Sequence, residues 1–379
     1  MNIAYIHTGK WPSNSPSITF TTYNALGAAE VFDFFYFFIK KNYRGSAEEV
    51  FRDNFNQCKP PNLIMCPLKN IFNSNKIYFH RVAGILSGLI KQGKLNALIT
   101  RNPGFLPFLI NLNQKYNIPV FYETHDFFTD DSGRHKKFNR HQKKYQVLEQ
   151  KFIPNLSGVI CLQKPQMNLY KKYYPGQRFV LARTGVHQVS PADFKLRKYL
   201  TYIGSLDQHK GVGTVLEAVK MCSRTDLEVL IIGGKHRQEI EHWERKLVNN
   251  CLSSRVTVTG WINKNRLSHY LNQTLLGVIP LEDSFFNRYL TSPLKLFDYL
   301  SHGIPVIASD LNSLRDIIDE NRTGVFFKPG DPENLALEID RLYSDKEQLI
   351  TMSNHARARA GELTWKKRSE IIRDFINEF

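Results

Sequence analysis

Residues Ser292 to Asp310 read SPLKLFDYLSHGIPVIASD. Proline is tolerated in a first helical turn, and a serine directly before it is a good N-cap. The stretch therefore predicts a helix that opens near Pro293 and runs over Lys295 to Ser301, followed by a strand over Pro305 to Ala308. Read outward from there, the same alternation recurs. Strands are expected at Tyr199–Ile203, Leu227–Ile232, Val256–Thr259 and Leu276–Pro280, with helices at Val212–Met221, Gln238–Asn249 and Asn265–Asn272 between them. An earlier series precedes it, with strands at Ile3–Ile6, Phe34–Ile39, Asn62–Cys66, Ala97–Thr100, Pro119–Glu123, Gly158–Leu162 and Phe179–Ala182. Helices are expected in that series up to Ala29 and at Arg81–Gln92, Leu106–Tyr116 and Lys136–Lys151. Strands alternating with helices imply parallel sheets covered on both faces. The aperiodic segment Arg183–Lys195, RTGVHQVSPADFK, reads as a linker between two α/β domains.

The length of 379 residues fits two domains, and a hydrophobic fraction of 42% lets each bury a core. The longest apolar run, Val31 to Ile39, contains Asp33 and is too short to cross a bilayer, so it reads as a buried strand. The opening MNIAYIHTG reads as a strand with neither a basic region nor a cleavage site, which predicts a cytoplasmic protein. Cysteines at 58, 66, 161, 222 and 251 are odd in number and lack metal or redox spacing, so reduced thiols, no disulfide and no zinc are expected. A net charge of +16 attracts anions: nucleotides, nucleic acid or an acidic membrane surface. Part of it lies in Arg134–Lys144, RHKKFNRHQKK, and a weaker part in Lys164–Lys172. The first stretch is either a solvated helix face or a contact for an anionic membrane or an acceptor. Aromatic residues do not interleave with the basic ones as a stacking platform requires, which argues against nucleic acid.

Ligands of parallel sheets bind beyond the carboxyl ends of the strands, so strand ends are where chemistry is sought. The free N–H groups at the start of the helix, around Ser292, Pro293 and Leu294, favour an anion such as a diphosphate. Lys295 adds positive charge there, and Asp298, about one turn beyond Leu294, is placed to accept from ribose hydroxyls; an ordinary capped helix is the bland alternative. Lys210 and Gly211 follow the strand Tyr199–Ile203. His125 and Asp126 follow the strand ending in YE. Gly260 and Trp261 end another strand, where the indole either stacks on a ligand or simply packs. Arg101 and Asn102 end a further strand, and the loop Ser13–Ser17 offers hydroxyls and amides, Ser15 among them.

Three of these stretches carry a resemblance. SPLKLFDYLSHGIPVIAS resembles the donor-binding helix of retaining glycosyltransferases of family GT4. YIGSLDQHKG, Tyr202 to Gly211, is similar to that family's first loop of the C-terminal domain, and VFYETHD, Val120 to Asp126, to its N-domain histidine segment. Asp298 matches the second of the family's two glutamates, while the first falls on Leu290; Ser205 stands where an arginine is usual. Glu282 and Asp283 or backbone amides are the substitutes for the missing sugar contact.

The resemblance implies a GT-B architecture, two Rossmann-like domains with parallel sheets facing a central cleft. Residues 1–185 would form the acceptor-side domain, 196–360 the nucleotide-sugar domain, and 361–379 a helix returning to the first. It further implies transfer of a sugar from a UDP- or GDP-sugar to a hydroxyl of a saccharide or lipid-linked acceptor with retention of configuration, in cell-surface polysaccharide synthesis. Lys210, Lys295 and the helix start would take the place of a metal, so no cofactor is expected, and His125 would approach the donor sugar. The protein would work in the cytoplasm or peripherally at the inner face of the membrane. A GT-B nucleotide-sugar epimerase and a non-catalytic nucleotide-sugar-binding partner, the latter motivated by Leu290 and Ser205, remain alternatives.

Overall fold

The computed structural model describes residues 1–69, 71–190, 194–207 and 210–379. Pro191, Ala192 and Asp193 of the expected linker lie outside the described residues, as do Gln208 and His209 of the GSLDQHKG segment. The chain divides into two compact units, Met1–His187 with Thr364–Phe379, and Gln188–Leu363.

The first unit holds a parallel sheet of seven strands, β1 (Asn2–Trp11), β2 (Phe34–Lys41), β3 (Leu63–Leu68), β4 (Ala97–Thr100), β5 (Val120–Thr124), β6 (Gly158–Cys161) and β7 (Phe179–Leu181), in the order β3-β2-β1-β4-β5-β6-β7. The second holds six, β8 (Tyr199–Ile203), β9 (Val229–Ile232), β10 (Val256–Gly260), β11 (Thr274–Ile279), β12 (Val306–Ser309) and β13 (Gly324–Phe327), in the order β10-β9-β8-β11-β12-β13. Strand order therefore reverses between β1 and β4 in one sheet and between β8 and β11 in the other. Helices leave for opposite faces at such a switch point and open a crevice at the strand ends.

Several elements depart from the sequence reading, among them the unexpected helices Lys164–Tyr173, Pro332–Ser344 and Lys346–Glu362. β13 was not anticipated, because GVFF is short and has no periodicity to separate it from a loop. A helix at Ala47–Phe55 is closed by a reciprocal bond pair between Ser46 and Glu49, the S-x-x-E capping pattern. The helix expected from Arg81 begins six residues earlier, at Asn75, capped by Ser74. The basic helix expected from Lys136 begins at Arg140: Asn139 accepts from His141 and Gln142, and Gln142 returns a bond to the Asn139 amide, so the chain cannot be helical before it.

The core of the first unit is largely aromatic, with Trp11, Tyr5, Phe35, Phe37, Phe38 and Phe51 fully buried. The helix Trp365–Ile376 belongs to this core. Phe121 of β5 meets the Phe375 ring at 5.7 Å, and Val186 bridges to Thr364 where the chain returns. The first unit makes room for this helix with glycines. A Cβ on Gly27 would sit 2.5 Å from Cβ of Trp365 and 2.6 Å from its carbonyl carbon, and one on Gly185 would sit 2.4 Å from the Trp365 nitrogen.

Among the described residues, no helix is long and apolar enough to cross a membrane.

Gly27 lies inside the helix Pro16–Ala29, where helix propensity alone would favour alanine by about 1 kcal/mol. The clash involves backbone atoms that cannot rotate away, so overpacking wins. Gly27→Ala is expected to destabilise the protein by about 1–3 kcal/mol, read as a lower urea midpoint with an unchanged slope.

Candidate functional site

In the second unit the site grows from the switch point between β8 and β11. Gly211 has φ +76°, and a Cβ there would lie 1.7 Å from the Pro280 carbonyl oxygen. No side chain fits, so the backbone after β8 lies directly on the end of β11. Lys210, whose amide donates to the Asp207 carbonyl at 2.9 Å, is thereby held at the ends of these two strands. Gly233 plays the same part on the other side, because a Cβ would lie 1.7 Å from the Gly204 carbonyl oxygen.

Lys295 enters from the helix Leu294–Ser301. That helix is pressed against the sheet: Tyr299 donates to the Thr201 carbonyl at 2.7 Å, and its ring fills the space that Gly277 of β11 leaves open. The Lys295 ammonium lies 4.5 Å from the centre of the Tyr202 ring, close to Gly204. Burial, and then the like charge of Lys210, push its pKa down to about 7. No carboxylate acts on Lys295 among the described residues, so its charged form is one that an anion brought beside it would favour.

The start of this helix differs from the expectation in one respect. Pro293, with an extended backbone, is itself the cap, Ser292 lies outside the helix, and no side chain caps it. Leu296 donates to the Pro293 carbonyl at 2.9 Å, and the Leu294 and Lys295 amides are left to a ligand or solvent. Asp298 is half-buried one turn along the helix. Ser205 donates to Asp207 at 2.8 Å. Gly260 takes φ +70°, and the Trp261 amide donates to the Gly234 carbonyl at 2.8 Å. This links the loops after β9 and β10 and leaves the indole 54% exposed, which removes core packing as its role. Glu282 and Asp283 are both exposed, and Asp283 binds Arg288. Leu290 is buried at 3% exposure.

In the first unit the corresponding switch point gathers His7 at β1, Arg101 after β4 and His125 after β5. Sequence reading singled out His125, Arg101, Asn102, Asp126 and Ser15, and overlooked the residue that organises them, Glu123. Its carboxylate is fully buried. It accepts from Tyr5 Oη at 2.8 Å and from Arg368 at 2.5 Å, and it lies 2.6 Å from His125 Nε2. Burial alone would raise its pKa, but Arg368, His125 and Arg101 together hold it well below the usual carboxylate range. Burial and Arg101 push His125 down to about 4, against the opposing pull of Glu123, so its imidazole is neutral near pH 7. His7, also depressed by burial and Arg101, is buried with Nδ1 unpartnered.

The remaining candidates are committed locally. Ser15 caps the helix Pro16–Ala29. Asn102 donates to Thr8 at 2.9 Å and accepts from the Gly104 amide at 2.8 Å, tying the ends of β1 and β4 together. Asp126 accepts from Arg134 and from the Phe127 amide. Arg134 thus belongs to the loop and not to a free basic face, and Lys137 pairs with Asp131. Glu149, on the basic helix, is wholly buried and accepts from Tyr122, Tyr170, Thr129 and the Phe128 amide.

Residues 197–345 match the family model described as Glycosyl transferases group 1. This stretch of the second unit resembles a group 1 glycosyltransferase domain. α-D-Kanosaminyltransferase of Streptomyces kanamyceticus is 26% identical over 164 residues, 42% of this chain and 40% of that one. The amylovoran biosynthesis glycosyltransferase AmsK of Erwinia amylovora is 22% identical over 242 residues, 62% and 58% of the two chains. The chain thus spans roughly half the length of these curated relatives. Sucrose-phosphate synthase from Thermosynechococcus elongatus superposes with a TM-score of 0.74 at 18% identity, covering 100% of this chain and 98% of that one. Anabaena Alr3699/HepE in complex with UDP gives a TM-score of 0.74 at 14% identity, covering 100% of both. The fold is GT-B.

The matched stretch contains Lys210, Lys295, Asp298, Trp261 and Leu290, and none of the first-unit cluster. An anion between the two lysines favours charged Lys295, so above pH 7 its binding takes up a proton. Affinity for pyrophosphate is expected to be flat below pH 7 and to fall above it, by at most about tenfold per pH unit. Calorimetry over pH 6 to 9 in wild type and Lys295→Met checks this; the substitution should remove the slope.

Proposed function

We propose that the protein is a retaining glycosyltransferase that moves a sugar from a UDP- or GDP-sugar to a hydroxyl of a saccharide or lipid-linked acceptor. One observation carries the reading. Lys210 and Lys295 stand together beside an uncapped helix start at a topological switch point, in an arrangement suited to a departing nucleoside diphosphate.

In this reading the two ammonium groups and the amides near Leu294 bind the diphosphate and stabilise the charge that grows as the glycosidic bond breaks. Asp298 accepts from the ribose, and exposed Trp261 stacks on the base. These residues supply the positive charge that a divalent metal would otherwise provide. His125 binds the donor sugar, which passes through an oxocarbenium-like state. A leaving phosphate oxygen takes the acceptor proton on the face the diphosphate leaves, so configuration is retained. Leu290 has no carboxylate to offer the sugar, and Glu282 or nearby amides take over that contact. A uridine nucleotide is the first donor to test, since Alr3699/HepE, of the same fold, was solved with UDP.

A cell-surface saccharide made at the cytoplasmic face of a membrane is the acceptor class this reading favours. Lys136, Arg140, Lys143 and Lys144 remain exposed after Arg134 and Lys137 are committed, and each is worth about 1 kcal/mol at an anionic bilayer.

Two measurements check the reading. UDP or GDP should raise the melting temperature, and Lys210→Ala or Lys295→Ala should cut donor turnover roughly hundredfold or more; full turnover in both variants would sink the assignment. The protein should float with phosphatidylglycerol vesicles at low salt, and Lys143→Glu/Lys144→Glu should weaken that attachment while leaving turnover of a soluble acceptor unchanged.

A further inference from the structure

Arg368 lies on the helix Trp365–Ile376, 245 residues from Glu123 in the chain, and is 2% exposed. Besides Glu123 it binds Asn24 at 2.9 Å and the Ala182 carbonyl, so its guanidinium is fixed on several sides. Glu123 is consequently a permanent anion, and an anion only accepts hydrogen bonds. Tyr5 Oη donates to its Oε1, and His125 Nε2 faces that same oxygen at 2.6 Å.

We propose that Arg368 and Glu123 form with His125 a positioning triad that locks the neutral imidazole as its Nε2–H tautomer and leaves Nδ1 as the acceptor offered to substrate. The logic is that of a buried carboxylate fixing a histidine tautomer. The surroundings of His125 agree with it. Phe20, from the helix Pro16–Ala29, meets the imidazole edge-on at 4.7 Å. Arg101 and Arg368 lie over the same phenyl ring at 5.4 and 5.2 Å, and Trp365 meets it at 5.0 Å. The charged and titratable groups acting on the site are Glu123 of β5, Arg101 after β4, Arg368 of the helix Trp365–Ile376, and His7 and Tyr5 of β1. Two are cations that oppose imidazolium, Glu123 is the one anion, and none but Glu123 bonds the ring. The helix Trp365–Ile376, which begins 240 residues after His125 in the chain, thereby sets which nitrogen of His125 is free.

The inference rests on the proposed function only for the identity of the substrate that meets Nδ1; the tautomer is a property of the free protein. Nitrogen-15 correlation spectra of the imidazoles decide it. In wild type at pH 7, His125, assigned through His125→Gln, should give the neutral Nε2–H pattern. In the charge-free pair Glu123→Gln/Arg368→Met, which leaves no lone buried ion, that pattern should shift toward Nδ1–H, in protein shown to be folded by circular dichroism. Donor turnover should fall about tenfold or more with an unchanged KM for the nucleotide donor, and Arg368→Lys should recover part of it. An Nδ1–H or doubly protonated His125 in wild type would overturn the triad, as would an unchanged spectrum or unchanged turnover in the double variant. If wild type transfers no sugar at all, the proposed function fails while the spectra still decide the tautomer.

Discussion

Much of the first unit depends on one buried ion pair, Glu123 with Arg368. Both side chains are out of water, and desolvating two charges costs several kcal/mol that their attraction only partly returns. Such a pair is poor evidence for stability in itself. Its effect is on specificity: with either partner removed, an isolated charge would remain in the core at a penalty of about 3–5 kcal/mol. The helix Trp365–Ile376 can therefore dock in one register only, the one that brings Arg368 to Glu123. The close approaches at Gly27, Gly185 and Gly158 then follow from that register. The same carboxylate receives Tyr5 from β1 and faces His125, so the pairing that fixes the helix also fixes the candidate site.

The second unit solves a different electrostatic problem. Among the described residues, no carboxylate pairs with either of its two lysines. They are brought together by backbone constraints, Gly211 against Pro280 and Tyr299 against Gly277, that seat Gly211 on the end of β11 and the helix Leu294–Ser301 on the sheet. An arrangement of like charges costs stability in the empty protein. That cost is the reason the arrangement has a functional meaning, since local order would be improved by any carboxylate inserted there.

How much of this could be read from the chain depended on range. Ala97–Thr100 and Leu106–Tyr116 were legible to the residue because buried parallel strands and proline-started helices have local signatures. Lys210 was marked by the glycine that follows it and Lys295 by the proline two residues before it, both local backbone signals. The start of the basic helix at Arg140 needed the Asn139–Gln142 pair to be recognised, and Pro293 was misplaced by one position because proline fits both the cap and the first turn. Glu123 carried no local mark at all. Its strand is buried throughout, so alternation does not single it out, and its partner lies more than half the chain away. Arg134 misled for the opposite reason: a run of basic residues reads as a surface, while its guanidinium turns inward to Asp126 and Phe127.

The inlaid helix Trp365–Ile376 also imposes an order in time. During synthesis the seven strands of the first unit leave the ribosome before the entire second unit, and the segment that carries Arg368 follows only after it. At ordinary elongation rates that interval is on the order of ten seconds. Over that period the nascent sheet holds an unanswered carboxylate and an open apolar trough against Phe20 and Phe121. The earlier-made half of the molecule is thus the later one to mature, and the second unit can fold while the first is still waiting for its last piece.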